Sequence, residues 1–303
     1  MIVTRVLVVS DSHLSTRTPE AVANWDAVVG HIDADRPDVV VHTGDVSTDG
    51  ARHEDDLAFA RDQLARSALP ILALAGNHDL GDNPHPGRSG AALRRGGDAG
   101  PDGGVSLVDE HQIDAARLAR YRRHLDPDRW VLDIPGWRLV GLNSMLFGSG
   151  LDEEAEQWDW FDERLADLDR RRRLALFVHK PLVASPTLPD DTAATSPGRY
   201  TPPAVARRLL AAGPRLVVSG HTHQFCRHRT DGATHVWVPS TWAVIPDRFQ
   251  PVIGDKVCGV VELVLHEDGT CETELMLPYG IVQQAIVDDL PDPYHPDAPT
   301  HPR

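Results

Sequence analysis

Seven side chains able to hold cations, Asp11, His13, Asp45, Asn77, His179, His221 and His223, stand in five polar clusters spread along the chain. Each cluster follows a short β-branched or apolar run. RVLVVS (5–10) leads into Asp11-Ser12-His13, DVVVH (38–42) into Thr43-Gly44-Asp45, and PILALA (70–75) into Gly76-Asn77-His78-Asp79. Farther on, LALFV (174–178) stops at His179, and RLVVS (215–219) at Gly220-His221-Thr222-His223. At a strand end, side chains two apart project to the same side, so Asp11 with His13, and His221 with His223, can each serve one site. The glycines beside Asp45, Asn77 and His221 allow close backbone approach. Two carboxylates, one carboxamide and several imidazoles, with no thiolate, make a mixed oxygen and nitrogen donor set suited to Mn, Fe, Zn, Ni or Co. These are too many donors for one tetrahedral zinc; they suit two ions about 3.5–4 Å apart, bridged by a carboxylate and a hydroxide. Two divalent ions less two carboxylate charges leave a positive patch that attracts phosphate.

Taken singly, these residues have ordinary roles: Asp11 and Asp45 as helix N-caps, Asn77 and Asp79 as turn residues, a buried His as a satisfied core group. Their order, and their recurrence at strand ends, sets the group apart. The runs that precede them read as buried strands, because both faces are apolar. Helix-like stretches at 20–33 and 54–67 separate the early ones, a β-α-β-α-β order that predicts a layered α/β core with the clusters at one crevice. A further strand is predicted at 137–143. An amphipathic helix follows at 153–171, ending in the Arg170–Arg173 run, with Trp158, Phe161, Leu165 and Leu168 as a core stripe. Strands are predicted at 235–239, 257–265 and 271–277, the last two joined by a turn at 266–269. Asn143-Ser144, at a strand end, is placed near the site. The other histidines (His31, His42, His53, His111, His124, His228, His235, His266, His295 and His301) read as solvated or structural, whereas His85, just past the third cluster, reads as a surface residue with a substrate contact as the alternative.

The chain of 303 residues carries 30 Lys and Arg against 45 Asp and Glu, a net charge of −15 that opposes nucleic acid and anionic membrane. No run reaches the roughly 18 apolar residues of a membrane span. Cys226, Cys258 and Cys271 are too few for a disulfide framework and fit reduced thiols in a cytoplasmic protein. One domain is predicted over 1–287, with a Gly-rich loop inserted at 84–104, followed by a Pro/Asp-rich tail at 288–303. A homo-oligomer is compatible with all of this.

The ordered series DSH, GD, GNHD, H and GHTH resembles the calcineurin-like metallophosphoesterase superfamily, and in pattern its bacterial phosphodiesterases of the class III cyclic-nucleotide type. The resemblance runs from Asp11 to His223. It implies a two-sheet β-sandwich flanked by helices (an α/β, or α+β, fold) with the metal site at the C-terminal edge of the strands. It implies that Asp11, His13 and His223 hold one metal, that Asn77, His179 and His221 hold the other, and that Asp45 bridges. The two would be divalent ions, Mn²⁺, Fe²⁺ (or Fe³⁺) or Zn²⁺. His78 would be the catalytic non-ligand histidine at the leaving oxygen, with Asn77 and His78 touching substrate phosphate. Two departures stand out. Thr48 occupies the position where purple-acid-phosphatase-like members carry Tyr, and protein phosphatases carry Asp there, whereas Asp49 lies one residue further on. What orients His78 is therefore open at this point. The reaction implied is hydrolysis of a small phosphodiester, including cyclic nucleotides, by a metal-bridging hydroxide. Phosphomonoester hydrolysis on the same site, or a metal-binding scaffold without catalysis, are the alternatives.

Overall fold

The computed structural model describes residues 2–83, 112–184 and 200–286. The expectations for His85, His111, His295, His301, the Gly-rich loop and the tail lie outside the described residues.

Among the described residues, eleven strands form two sheets. In the first, β1 (Val3–Val9) lies between β10 (Val260–His266) and β2 (Val39–His42), with β11 (Cys271–Met276) and β3 (Ile71–Ala73) at the edges. The second runs β4 (Trp130–Ile134), β5 (Trp137–Gly141), β6 (Arg173–Phe177), β7 (Leu216–Ser219), β9 (Ala233–Trp237), β8 (Cys226–Thr230). β1, β2 and β3 are parallel, as are β5, β6, β7 and β9. Within each sheet, then, these strands end on one side.

Strand alternation builds the layers. Val6 and Val8 of β1 pack with Val41, Leu139, Phe177, Val218 and Val236 between the sheets. Leu7 and Val9 face the other way, against Trp25, Val28 and Ile32 of α1 (Pro19–Asp35) and Leu57 and Ala60 of α2 (Glu54–Leu64). Leu174, Leu176 and Val217 cover the outer face of the second sheet with Phe161 of α5 (Asp152–Ala166) and Ala206 and Leu209 of α6 (Pro203–Ala211). The order helix, sheet, sheet, helix is the flanked sandwich that the sequence implied. The stripe of Trp158, Phe161, Leu165 and Leu168 is core packing, as predicted.

The helix predicted at 153–171 stops earlier, at Ala166. The guanidinium of Arg138 donates to the Arg164 carbonyl (2.7 Å) and pairs with Asp167, closing the last turn. The Arg170–Arg173 run therefore does not end a helix; Arg172 pairs with Asp133, and Arg173 opens β6. β4, β8, α6 and α4 (Ala115–Leu125) were not predicted. β8 is an edge strand of sequence CRHRT, so it lacks the apolar run by which the central strands are recognised.

Candidate metal centre

The five clusters converge at the C-terminal ends of β1, β2 and β3 in one sheet and of β6 and β7 in the other. Loop-to-loop backbone bonds hold the first two together: Asp11 N–H donates to Gly44 O (3.0 Å), His13 N–H to Asp45 O (3.1 Å) and Leu14 N–H to Val46 O (2.8 Å). Asp11, His13, Asp45, His221 and His223 all have positive φ, between 45° and 67°. Left-handed backbone costs a residue with a Cβ about 1–2 kcal/mol, and here it turns alternate side chains inward while Ser12 points away to His42. Gly220 has no room for a Cβ, which would meet the Asp11 carboxylate (Oδ2 at 2.6 Å) and the Ser10 hydroxyl.

The third cluster is not an extended strand end but the first turn of a short helix, α3 (Asn77–Leu80). Successive side chains there diverge by about 100°. Asn77 and His78 accordingly meet different partners, and Asp79 turns back as a clamp. Its carboxylate accepts from Gly76 N–H (2.9 Å), Val46 N–H (3.1 Å), and the Ser47 N–H (2.8 Å) and hydroxyl (2.6 Å). Burial first, then nearby Asp45, pushes its pKa up to about 6.

Donor atoms fall into two groups meeting at Asp45. On one side are Asp11, His13 and His223: His13 Nε2 lies 3.2 Å from His223 Nε2, and His223 Nε2 lies 3.5 Å from Asp11 Oδ1. On the other are Asp45, His179 and His221, with His179 Nε2 at 3.3 Å from Asp45 Oδ2, 3.2 Å from His221 Nδ1 and 3.2 Å from Asn77 Oδ1. Asp45 Oδ2 also approaches His13 Nε2 at 3.9 Å, while its Oδ1 accepts from His78 N–H (2.8 Å). Donors about 2.1 Å from a shared cation, at angles of 90–109°, are about 3.0–3.4 Å apart. The donor set therefore fits a pair of divalent ions in chemistry and in spacing.

Backbone carbonyls fix the imidazole tautomers. His179 Nδ1–H donates to Thr43 O (3.0 Å) and His223 Nδ1–H to Ala243 O (2.7 Å), leaving each Nε2 to face the cluster. His13 differs, its Nδ1 being buried with no partner and its ring 4.8 Å from that of Trp242. His78 Nδ1–H donates to Thr48 O (2.7 Å), so a backbone carbonyl helps to orient the ring. A nitrogen of His78 also comes within 4.8 Å of His13 and Asp45 donor atoms.

The electrostatics follow from burial. Desolvation, then neighbouring imidazoles, drives His13 and His221 well below their ordinary pKa of 6.5. Burial works against the His179 cation too, but Asp45, Asp11 and Asp79 outweigh it and push His179 up to about 9. The same burial opposes the Asp45 carboxylate, yet His179, His78 and His13 hold it well below the usual range. Asp11 is raised, chiefly by burial.

Behind the cluster, His42 accepts from Gly44 N–H at Nδ1 (3.2 Å) and donates from Nε2 to the Ser12 hydroxyl (2.8 Å), which donates to Val46 O (3.1 Å). His42 is thus structural. Asn143 faces away, bonded to Asp128 and Gln157, whereas Ser144 Oγ accepts from His179 N–H (3.1 Å) and so touches the site only through backbone. The sequence reading missed the segment after β9. Ser240 Oγ donates to Asp11 O (2.7 Å), and Trp242 and Ala243 back His13 and His223. Ser240-Thr241 is itself a polar cluster after a predicted strand, which was the available signal.

Residues 4–225 match the family model described as calcineurin-like phosphoesterase. A probable cyclic nucleotide phosphodiesterase of Synechococcus sp. is 26% identical over 209 residues, covering 68% of this chain and 64% of that protein. The match thus spans less than two thirds of that relative's length. In fold the chain is similar to a purple acid phosphatase from yellow lupin seeds (TM-score 0.59, 16% identity, 90% of this chain and 51% of that one). It is also similar to GAP50, the anchor in the inner membrane complex of Plasmodium (TM-score 0.57, 12% identity, 93% of this chain and 87% of that one). Among the described residues no helix is long and apolar enough to cross a membrane. With the match extending over most of the chain and over all five clusters, the protein belongs to the calcineurin-like phosphoesterase family.

Proposed function

We propose that the protein is a dinuclear-metal phosphodiesterase. In this reading Asp11, His13 and His223 hold one divalent ion, Asn77, His179 and His221 the other, and Asp45 both. The observation that carries it is the meeting of two donor groups at one carboxylate, Asp45, whose Oδ2 lies 3.3 Å from His179 and 3.9 Å from His13. When bound, two such ions acidify a water and neutralise charge on phosphoryl oxygens. The chain supplies the rest. Asp45 is kept in place by the His78 N–H, and the Thr48 carbonyl accepts the Nδ1 proton of His78, so that in the imidazolium form it is the second proton, on Nε2, that would go to the leaving oxygen. Asp79 steadies that arrangement by binding Val46 and Ser47, immediately before Thr48. Asn77 and His78 are assigned to the substrate phosphate; both lie in the same helical turn.

Support for a diester substrate comes from the Synechococcus relative, described as a probable cyclic nucleotide phosphodiesterase. The deciding comparison is kcat/KM for bis(p-nitrophenyl) phosphate, p-nitrophenyl phosphate and a cyclic nucleotide on protein reconstituted with Mn²⁺, Fe²⁺ or Zn²⁺ and assayed for metal content. Two ions per chain with a diester preference support the reading. A monoester preference replaces it with a phosphomonoesterase. Two ions without turnover would favour a metal-binding scaffold, the reading that the fold's occurrence in an anchor protein keeps in view.

A further inference from the structure

Of the 30 basic side chains, 28 are Arg and two are Lys, and one of those two, Lys180, is completely buried. It follows His179 directly. Its Nζ pairs with Asp82 and donates to Asn83 Oδ1 (2.7 Å). Asp82 Oδ1 also accepts from Asn83 N–H (2.8 Å), and the Asn83 amide donates to Phe147 O (3.1 Å). Asp82 and Asn83 come just after α3, the helix that begins with Asn77. One buried ion pair therefore joins the two segments that present Asn77 and His179, whose donor atoms are 3.2 Å apart. The Thr201 hydroxyl bonds to Lys180 O (3.0 Å), and Ser144 Oγ accepts from the Lys180 N–H (3.3 Å), so the lysine's backbone is held as well.

The other group of donors is clamped differently. Asp11 and His13 are laddered to Gly44 and Asp45 by backbone bonds, and Asp11 also accepts from the His221 N–H at 3.0 Å. No lysine takes part. A buried ion pair is weak evidence of stabilisation, since well-packed neutral replacements are often equally stable. Its geometric effect is more specific: it fixes how far α3 stands from the end of β6. We propose that Lys180, acting through Asp82 and Asn83, is a positioning residue that sets the separation of Asn77 from His179. It thereby sets the ion affinity of that half of the site selectively over the Asp11, His13 and His223 half. The inference rests on the two-ion reading above.

The test is Mn²⁺ titration of the full chain, followed by calorimetry and by electron paramagnetic resonance, which separates isolated Mn²⁺ (six lines) from a coupled pair. His221→Ala marks the behaviour of a chain impaired in the same half-site. Lys180→Met removes one cation from beside buried Asp82, so Lys180→Met/Asp82→Asn takes out both charges of the pair at close to native volume. Asn83→Ala is a milder perturbation of the same link. All three should leave one dissociation constant within about threefold and weaken the other about 10–100-fold, the range for partners of metal ligands. At stoichiometric loading they should show the six-line signal where the wild type shows the coupled one. Excess Mn²⁺ should restore the coupled spectrum and a near-native kcat. Unchanged constants in the double variant, or equal weakening of both with a lowered Tm, would overturn the inference while a two-ion wild type leaves the parent reading standing. A wild type that takes up one ion only would end both.

Discussion

Ion uptake should release the proton that His179 holds. Before an ion binds, its imidazole has a pKa of about 9: burial alone would lower it, but Asp45, Asp11 and Asp79 together prevail. A ligating imidazole must give up that proton. At pH 7 the ring is about 99% protonated, and removing the proton costs two pK units, about 2.7 kcal/mol, or about a hundredfold in affinity. His13 and His221 are displaced the other way, well below 6.5, chiefly by burial, so both are already neutral and release nothing. The sign is therefore definite. Affinity should rise about tenfold per pH unit between about pH 6.5 and 8.5, and flatten as the pH passes the His179 value. Calorimetry in buffers of differing ionisation enthalpy counts the protons directly; at least one should appear at pH 7 once both halves are filled. A count near zero would mean that Asp45 does not hold a proton on His179, and a count near three that burial does not keep His13 and His221 neutral. Either result refutes the electrostatic reasoning.

Other perturbations bear on separate parts of the site. His78→Ala should leave ion uptake intact yet lower kcat about 10²–10⁴-fold, with a larger loss for an alkoxide than for a p-nitrophenolate leaving group; loss of an ion would make it a ligand instead. Gly76→Ala should strip ions and lower Tm, because its Cβ would collide with the Asp45 carboxylate and backbone nitrogen; ion content equal to wild type would contradict that clash. His42 has its pKa lowered to about 3 by burial, then by His179, so its stabilising contribution is present above the unfolded value of 6.5 and is lost as the pH falls below it. Between pH 7.5 and 5 that loss is about 2 kcal/mol, and His42→Gln should flatten the acid limb of urea stability by that amount; an unchanged limb would show that His42 is not the group titrating.

Legibility of the fold followed hydrophobic pattern closely. β1, β2, β6 and β7 are buried on both faces, so their apolar runs announced them, and the polar clusters that end these four strands lie close together in the structure. β8 escaped because an edge strand needs no apolar run, and α4 because only Leu118, Tyr121 and Leu125 of its eleven residues are buried. Within the site, side-chain donors were legible and backbone acceptors were not. The carbonyls of Thr43, Thr48 and Ala243 orient His179, His78 and His223, yet a carbonyl is common to every residue and carries no sequence signal. Lys180 was passed over for another reason. Its partners, Asp82 and Asn83, lie nearly a hundred positions away in the chain, and it is the tertiary fold that brings them together.

The same contrast accounts for where strain is kept. Five of the seven non-glycine residues with positive φ among the described residues are proposed ligands. At about 1–2 kcal/mol each, such turns persist only where the surroundings over-determine them. Those surroundings are the sheet-to-sheet core, with Val6, Val8, Val41, Phe177 and Val218 fully or almost fully buried just beneath the loops, and the bonds that tie one strand-end loop to the next. Imidazoles and carboxylates are consequently held close together before any ion arrives, instead of being gathered by it. Before an ion arrives the proton held by His179 sits among these acceptors, its Nε2 facing Asp45 Oδ2 and Asn77 Oδ1, and a shared cation takes the place of that proton. Preorganisation of this kind places the energetic cost in folding and leaves the affinity for the ion to be set by small changes in spacing, such as the 3.2 Å between Asn77 Oδ1 and His179 Nε2.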